Sequence, residues 1–388
     1  MFSQRTNWKL SINRFTQTIE ELRVTGVTLL DLTVSNPTRC GLNYDPQAIL
    51  AAFHNPQALS YDPQPKGLLT ARKEVARYYL EDHGTAVDLE SIFLTTSTSE
   101  AYSFIFRLLC NPHDEILVPK PSYPLFDFLA DLHDISLIHY SLEYAQGWLV
   151  DFQSVLQAIT QQTRAILLVH PNNPTGSYLR RQEIERLNAI CHEREIALVV
   201  DEVFLDYAFD GTRRNSFAGN LEVLTFTLSG LSKISVLPQM KVAWLACSGP
   251  DELVQAAVAR LEVIADTYLS LNAPTQLAIP TLFALRRPMQ TQLLERVRRN
   301  RALLQHQLAG QSVCESLDAE GGWYAVVRVP ADQPDEERAI ELMHKQHVIV
   351  HPGHFFDFPK DGFLVVSLIT PEAEFGEGIK HLLAGVLS

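Results

Sequence analysis

Residues 165–176 read AILLVHPNNPTG, an apolar run that ends in a turn of asparagines and prolines. The same layout returns twice. Residues 197–204 read ALVVDEVF, where the run ends in Asp201, and residues 223–233 read VLTFTLSGLSK, where it ends shortly before Lys233. Short apolar runs bounded by turns are typical of buried strands, and amphipathic helical patterns separate them here. This order predicts an α/β fold with a mainly parallel sheet covered on both faces by helices.

The predicted elements place polar residues at strand ends. We expect strands at 115–118, 165–169, 197–200, 223–228 and 242–246, and helices at 100–109, 181–194, 251–265 and 290–308. Ligands of such sheets collect at the carboxyl ends of the strands. Asn173, Asp201 and Lys233 each follow a predicted strand, so we expect these three side chains to lie at one edge of the sheet.

An amine, a carboxylate and an amide at one edge suit pyridoxal phosphate. This cofactor needs an amine for its aldehyde, a carboxylate for its ring nitrogen and a donor for its phenolic oxygen. Lys233 can supply the first, Asp201 the second and Asn173 the third. Each alone is weak support, because most lysines are solvated and an aspartate after a strand often only caps a turn. Their order along the chain favours the cofactor.

The same motifs resemble those of the class I and II aminotransferases, pyridoxal-phosphate enzymes of fold type I. NNPTG at 172–176, DEVF at 201–204 and SGLSK at 229–233 occur in the family's order. Weaker matches extend the resemblance from Leu30 to the C-terminus: Ser35-Asn36-Pro37, Tyr61 with Gly67, Pro121-Ser122-Tyr123-Pro124, Gly321-Gly322-Trp323-Tyr324 and Val350-His351-Pro352-Gly353.

The resemblance implies two domains and a reaction. A large domain, residues 51–270, would carry a sheet of the seven-stranded type and bind pyridoxal phosphate, while residues 1–50 and 271–388 would form a smaller α+β domain. The implied activity is transfer of an amino group between an amino acid and a 2-oxo acid by a ping-pong mechanism. Lys233 would be both the Schiff-base lysine and the proton shuttle.

Further cofactor contacts follow from the resemblance. Thr98 and Ser99 would hold the phosphate at a helix N-terminus, where backbone N–H groups favour an anion, although a capping box has the same composition. Ser232 and Lys241 would add contacts to it. Most relatives carry arginine at the latter position.

Three other residues complete the implied site. Tyr123 matches an aromatic ring that stacks on the cofactor. Tyr61 matches a tyrosine that reaches the neighbouring subunit's cofactor, which implies a homodimer. Ser35, together with Asn173, is expected to contact the substrate.

Two departures from the family concern function. Phe204 stands where relatives have a tyrosine that donates to the phenolic oxygen. Loss of that donor should raise the pKa of the imine. Val365 occupies the position at which relatives have an arginine that binds the substrate carboxylate with two hydrogen bonds. The residue that replaces this arginine could be Arg39, Arg328, His351 or His354, and the sequence does not select among them. The two histidines lack a third ligand, so no metal site is expected.

Composition narrows the class of protein. The 388 residues carry a net charge of −13, and no basic run indicates nucleic acid or an anionic membrane. No cationic leader or spanning apolar run is evident, and five cysteines without Cys-x-x-Cys pairing favour reduced thiols in the cytoplasm. Two alternatives remain: another pyridoxal-phosphate reaction, such as β-elimination, decarboxylation or oxidation, or a regulatory protein on the same scaffold.

Overall fold

The computed structural model describes residues 1–123, 126–212 and 214–387. Fourteen strands lie within these ranges: β1 Leu30–Asp31, β2 Ile92–Thr95, β3 Glu115–Lys120, β4 Ser136–Tyr144, β5 Trp148–Val150, β6 Thr163–Val169, β7 Ala197–Asp201, β8 Thr225–Gly230, β9 Ala243–Ser248, β10 Glu315–Ser316, β11 Tyr324–Arg328, β12 Val348–Ile349, β13 His351–Pro352 and β14 Phe363–Ser367.

Thirteen α-helices lie within the same ranges: α1 Arg14–Val24, α2 Pro46–Ala51, α3 Leu69–His83, α4 Thr98–Leu109, α5 Phe126–Leu132, α6 Phe152–Ala158, α7 Arg181–Arg194, α8 Leu231–Ile234, α9 Asp251–Tyr268, α10 Ala273–Ala284, α11 Arg286–Leu308, α12 Asp335–Gln346 and α13 Glu372–Leu387.

Eight strands form the large sheet, in the order β2-β9-β8-β7-β6-β3-β4-β5. The five central strands, from β8 to β4, run parallel to one another. β9 is antiparallel to both of its neighbours, and the three-residue β5 is antiparallel to β4. The predicted α/β class and mainly parallel sheet are confirmed, with β5 added at one edge.

Alternate side chains of the central strands enter two separate cores. Leu167 and Val199 pack in a cluster with α4 and α9, whereas Ile166 and Leu198 pack on the opposite face with α7. Strands buried on both faces need continuous apolar sequence. This requirement explains why AILLV and ALVV show no alternation of polar and apolar residues.

The predicted element bounds agree closely with the structure. The helix predicted at 181–194 has the bounds of α7, and the strand predicted at 223–228 is displaced by two residues from β8. Turns and glycines mark such ends only approximately, because caps and strand pairing decide the last residues.

Both ends of the chain meet in a further core, separate from the two that cover the large sheet. β1 pairs in parallel with β12, and Phe15 and Leu32 pack in one cluster with residues of α11, α12 and α13. A four-stranded sheet, in the order β10-β11-β14-β13, adjoins it. The division at residues 50 and 270 stays a prediction, and α10, just beyond that boundary, packs against α3 in a cluster that includes Tyr79 and Phe283.

Within the described ranges, the helices are too short or too polar to cross a membrane. The five cysteines are free thiols, and four of them are buried.

Candidate active site

Neighbouring parallel strands bring the predicted polar residues together. Val169 of β6 lies beside Asp201 of β7, which in turn lies beside Leu228 of β8. Asn173 follows β6 by four residues, and Lys233 lies in α8 directly after β8. The carboxyl ends of the three strands therefore present an amide, a carboxylate and an amine to the same space, as predicted.

This space is a cavity of about 390 Å³, the size of a small-molecule site. Seven of the predicted site residues line it: Ser35, Thr98, Tyr123, Asn173, Asp201, Ser232 and Lys233. The other lining residues are mostly aromatic or aliphatic: Phe126, Val169, Val203, Phe204, Tyr324, His351, Phe355 and Phe356. The last four come from the C-terminal part of the chain, so this part and the large sheet both contribute walls.

Lys233 lies deep in this cavity with its amine against aromatic rings. Its Nζ is 4.8 Å from the centroid of Trp323 and 5.6 Å from that of Phe204. Burial lowers the pKa of the amine to about 8, against a smaller raising effect of the Asp201 charge. Tyr207 donates its hydroxyl to the Lys233 carbonyl at 2.6 Å and so fixes the backbone below the amine. A larger fraction of the amine is therefore neutral near pH 7 than in an ordinary lysine.

Asp201 is buried and held by two donors. Its Oδ2 accepts the Tyr102 hydroxyl at 2.9 Å and its Oδ1 accepts the Val203 N–H at 3.0 Å. Burial raises the pKa of this carboxyl to about 6, while both hydrogen bonds and the charge of Lys233 act to lower it. The carboxylate is thus oriented towards the cavity before any ligand binds.

The two adjacent asparagines of the turn differ in their partners. Asn172 donates to the Pro121 carbonyl at 3.1 Å and to Thr175 Oγ1 at 2.9 Å, so it holds the turn. Asn173 lines the cavity, and its buried Oδ1 has no hydrogen-bond partner among the described residues. A buried amide oxygen without a partner is costly, and a bound hydrogen-bond donor would relieve that cost.

The start of α4 combines a cap with a lining residue. Ser97 caps the helix by accepting the Glu100 N–H at 3.2 Å, and the Glu100 carboxylate accepts the Thr96 N–H at 2.8 Å. Ser97 therefore caps the helix, but the capping box is incomplete because Glu100 bonds Thr96 instead of Ser97. Thr98, the first helical residue, nevertheless lines the cavity.

Three predicted cofactor residues lie outside this lining. Ser99 and Lys241 are exposed. Tyr61 is 85% exposed and lies on a separate hollow formed by segments 58–68 and 269–276. The described residues of one chain thus leave these three side chains away from Lys233. Pro124, the end of the Pro-Ser-Tyr-Pro match, is outside the described ranges.

Tyr102 is the site residue that sequence reasoning missed. It lies four residues after Thr98 on α4, so the two side chains share a face of the helix. That spacing was visible in the sequence, but only the packing of α4 across β7 directs its hydroxyl to Asp201.

The chain matches the family model for aminotransferases of class I and II over residues 27–382. It belongs to this family. The glutamate-pyruvate aminotransferase AlaA of Escherichia coli K12 is 27% identical over 361 residues, covering 90% of this chain and 88% of that protein. The alanine aminotransferase of Mycobacterium tuberculosis is 25% identical over 374 residues, 93% of this chain and 86% of that one.

Solved structures agree on the fold. The alanine aminotransferase from Pyrococcus furiosus superposes with a TM-score of 0.88 at 22% identity, over 98% of each chain. The aspartate aminotransferase from Thermotoga maritima has a TM-score of 0.83 at 19% identity and covers 100% of each chain. Since members of the family use pyridoxal phosphate, this protein is a pyridoxal-phosphate-dependent aminotransferase.

The residues present fit the cofactor of an aminotransferase. Lys233 offers an amine, Asp201 an oriented carboxylate and Asn173 an amide whose Oδ1 has no partner among the described residues, all on one cavity. At the position of the expected phenolic-oxygen donor, Phe204 instead packs its ring edge-on to Trp323, with centroids 5.2 Å apart.

The arginine expected to bind the substrate carboxylate is replaced by Val365. Val365 is buried in β14 and packs with Val326 and Phe356. Among the described residues, the cavity lining contains no arginine. Arg39 is exposed, and Arg328 pairs with Glu315 at 2.9 Å outside the cavity.

Proposed function

We propose that Lys233 anchors pyridoxal phosphate and then moves a proton between the substrate's α-carbon and the cofactor. The observation that carries this proposal is the shared cavity of the Lys233 amine and the Asp201 carboxylate. Bound pyridoxal phosphate supplies an aldehyde for the amine and a ring that takes up electrons when a bond at the α-carbon breaks. The lowered pKa of Lys233 favours the neutral amine, the form that accepts a proton.

Other side chains would orient the cofactor. Asp201 would hold a proton on the ring nitrogen, and Asn173 would donate its Nδ2 to the phenolic oxygen. Thr98 and Ser232 would contact the phosphate, where the N-terminal N–H groups of α4 also favour an anion. Tyr123 would lie on the ring. Ser99 and Lys241 are proposed as outer phosphate contacts that need a shift of their side chains.

We propose a small monocarboxylic amino acid and its 2-oxo acid as the substrates, with alanine and pyruvate as the pair to test first. Part of the cavity wall is formed by aromatic residues, among them Tyr324, Phe355 and Phe356. Two relatives whose names contain alanine or pyruvate support this choice. A second substrate carboxylate would find no guanidinium in the described lining.

A half-reaction assay tests the function. The holoenzyme receives L-alanine, L-glutamate or L-aspartate singly, and pyridoxamine phosphate is measured, because transamination leaves that form while elimination and decarboxylation do not. We expect L-alanine to convert the cofactor fastest. K233A should abolish conversion, whereas K380A, which removes an exposed lysine paired with Glu377, should leave it intact. Full conversion by K233A would contradict the role of Lys233.

We also propose a homodimer in which Tyr61 contacts the partner's cofactor. Tyr61 and Leu59 are 85% and 93% exposed, an unusual state for large apolar side chains at neighbouring positions. Mixing refolded Y61A and K233A chains tests this. Heterodimers would contain one site with both residues intact, so activity should return to about a quarter of wild type. If the activity of the mixture did not exceed the summed activities of Y61A and K233A assayed separately, the contact would be excluded.

The proposed setting is the cytoplasm. The five free thiols, four of them buried, match a reducing compartment. Alkylation during cell lysis in denaturant, with no reductant added, should label all five cysteines.

A further inference from the structure

A histidine stands beside the position where the family's arginine is missing. His351 in β13 is directly opposite Val365 in β14, and Val365 is opposite Val326 in β11. Directly opposite residues of antiparallel strands point to the same face with their Cβ atoms about 5 Å apart. The imidazole therefore leaves the sheet on the face, and close to the place, from which the expected guanidinium would have extended.

His351 can still form hydrogen bonds. It lines the cavity together with Lys233, and its Nδ1 has no hydrogen-bond partner among the described residues. Phe355 and Phe356 flank the ring, with centroids 6.0 and 5.6 Å away. Burial lowers the pKa of the imidazole to about 4, against smaller raising effects of Asp31 and of the Thr33 backbone. The ring is thus neutral, and in the tautomer that carries its single proton on the unpaired Nδ1 it has an N–H to donate into the cavity.

The other candidates are less well placed. Arg39 is exposed, and Arg328 pairs with Glu315 and lies over the ring of Tyr144. His354 is exposed and packs edge-on to Phe355, at a centroid distance of 4.7 Å. None of these three residues lines the cavity.

We propose that His351 binds the substrate carboxylate through an imidazole N–H, replacing the guanidinium clamp with a single neutral donor. This inference rests on the proposed transamination of a monocarboxylic amino acid. One N–H offers one hydrogen bond where a guanidinium offers two and a full charge. Carboxylate recognition is therefore weaker, and a substrate with two carboxylates gains nothing further from the described lining.

The test separates binding of the carboxylate from chemistry. Propionate, which carries a carboxylate but no amine, is titrated calorimetrically into holoenzyme. L-Alanine and ethylamine, which differ only in the carboxylate, are compared by the rate and concentration dependence of the cofactor's absorbance change. The variants are H351L, which removes the donor, H351N, which keeps one, and H354N as the control from the same segment.

We expect H351L to weaken propionate binding and raise the apparent Kd for L-alanine roughly tenfold or more, the range for losing a hydrogen bond to a charged group. H351N should restore both to within about threefold, as expected for a neutral amide donor. Ethylamine should be unaffected by any of the variants. Should H351L fail to fold, H351F takes its place.

The inference would be overturned if H351L had the same dissociation constants for propionate and L-alanine as wild type. An equal loss with ethylamine would do so too, since it would indicate a general disturbance of the cavity. If wild-type holoenzyme converts no amino acid at all, the proposed function fails instead, and the two failures are distinct.

Discussion

Tyr102 donates its hydroxyl to Oδ2 of Asp201 at 2.9 Å, joining α4 to the carboxyl end of β7. Both residues are buried, so the bond is shielded from water. It orients the carboxylate and stabilises its charged form against the cost of burial. The orientation of the Asp201 carboxylate thus depends on a residue outside the family motifs.

Removing this hydroxyl should weaken cofactor binding. In Y102F, Asp201 loses a donor, its pKa rises further above its ordinary value, and the carboxylate pairs less well with a protonated ring nitrogen. We expect the dissociation constant of pyridoxal phosphate to rise about tenfold or more, measured by equilibrium dialysis. Y140F is the matched control, because Tyr140 is equally buried but donates to the Leu167 carbonyl in the core. Equal losses in both variants would count against a specific role.

Lys233 should make the stability of the apoenzyme depend on pH. Its pKa is about 8 in the folded chain, against an ordinary value of 10.5. Between pH 8 and pH 10.5 the unfolded chain therefore binds more protons than the folded chain. The burial cost of the ammonium is therefore present below pH 8 and disappears as the pH rises to 10.5.

The variant K233M lacks this cost. At pH 7 we expect K233M to unfold at a higher urea concentration than wild type, with a free energy of unfolding that is larger by roughly 1 to 3 kcal/mol. This difference should shrink towards pH 10. K380M, at an exposed position, serves as the control for loss of a surface charge. A constant difference between K233M and wild type across that range would refute the assignment.

Restoring the phenolic-oxygen donor should shift the cofactor's titration. F204Y places a hydroxyl on the ring that lies 5.6 Å from the Lys233 amine. By the family pattern this hydroxyl donates to the phenolic oxygen, so the pKa read from the cofactor's absorbance should fall by about one unit. F355Y, which adds a hydroxyl elsewhere in the same cavity, should leave that pKa unchanged.

Gly176 joins the Asn173 turn to the C-terminal part of the chain. Its carbonyl accepts the N–H groups of Glu320 and Gly321, both at 3.0 Å, and its φ is +69°. A side chain there would overlap the Gly321 carbonyl oxygen and approach Ala319 Cβ to 2.8 Å.

G176A should therefore lower both the thermal midpoint and cofactor affinity. The control is G26A, since Gly26 has a φ of +80° but no atom within 4 Å of an added Cβ. It isolates the left-handed backbone cost of about 1 to 2 kcal/mol from the overlap. We expect a clearly larger loss for G176A in a thermal scan. Equal losses would show that the overlap is relaxed without consequence.

Five strands of the large sheet and four of the helices were predicted, because local sequence decides them. The apolar runs that became β6 and β7 are bounded by turns, and their parallel packing follows from the helices between them. Short strands were not predicted. β5 and β13 have three and two residues, and they exist only because longer neighbours offer hydrogen bonds.

The meeting of Asn173, Asp201 and Lys233 at one cavity was also predictable, since each follows a strand whose end is visible in the sequence. Which residues of the C-terminal part face that cavity was not. Whether Arg39, Arg328, His351 or His354 faces the cavity depends on the register of β13 against β14 and on the docking of the C-terminal core.

The sequence by itself determined the class of chemistry, because an amine, a carboxylate and an amide at successive strand ends must meet wherever those strands are parallel neighbours. Tertiary structure alone decided what surrounds them. Tyr102 reaches Asp201, Trp323 lies 4.8 Å from the Lys233 amine and His351 enters the cavity through packing between segments distant in sequence. Such contacts depend on long-range register and burial, which leave no periodic or local signal in the chain.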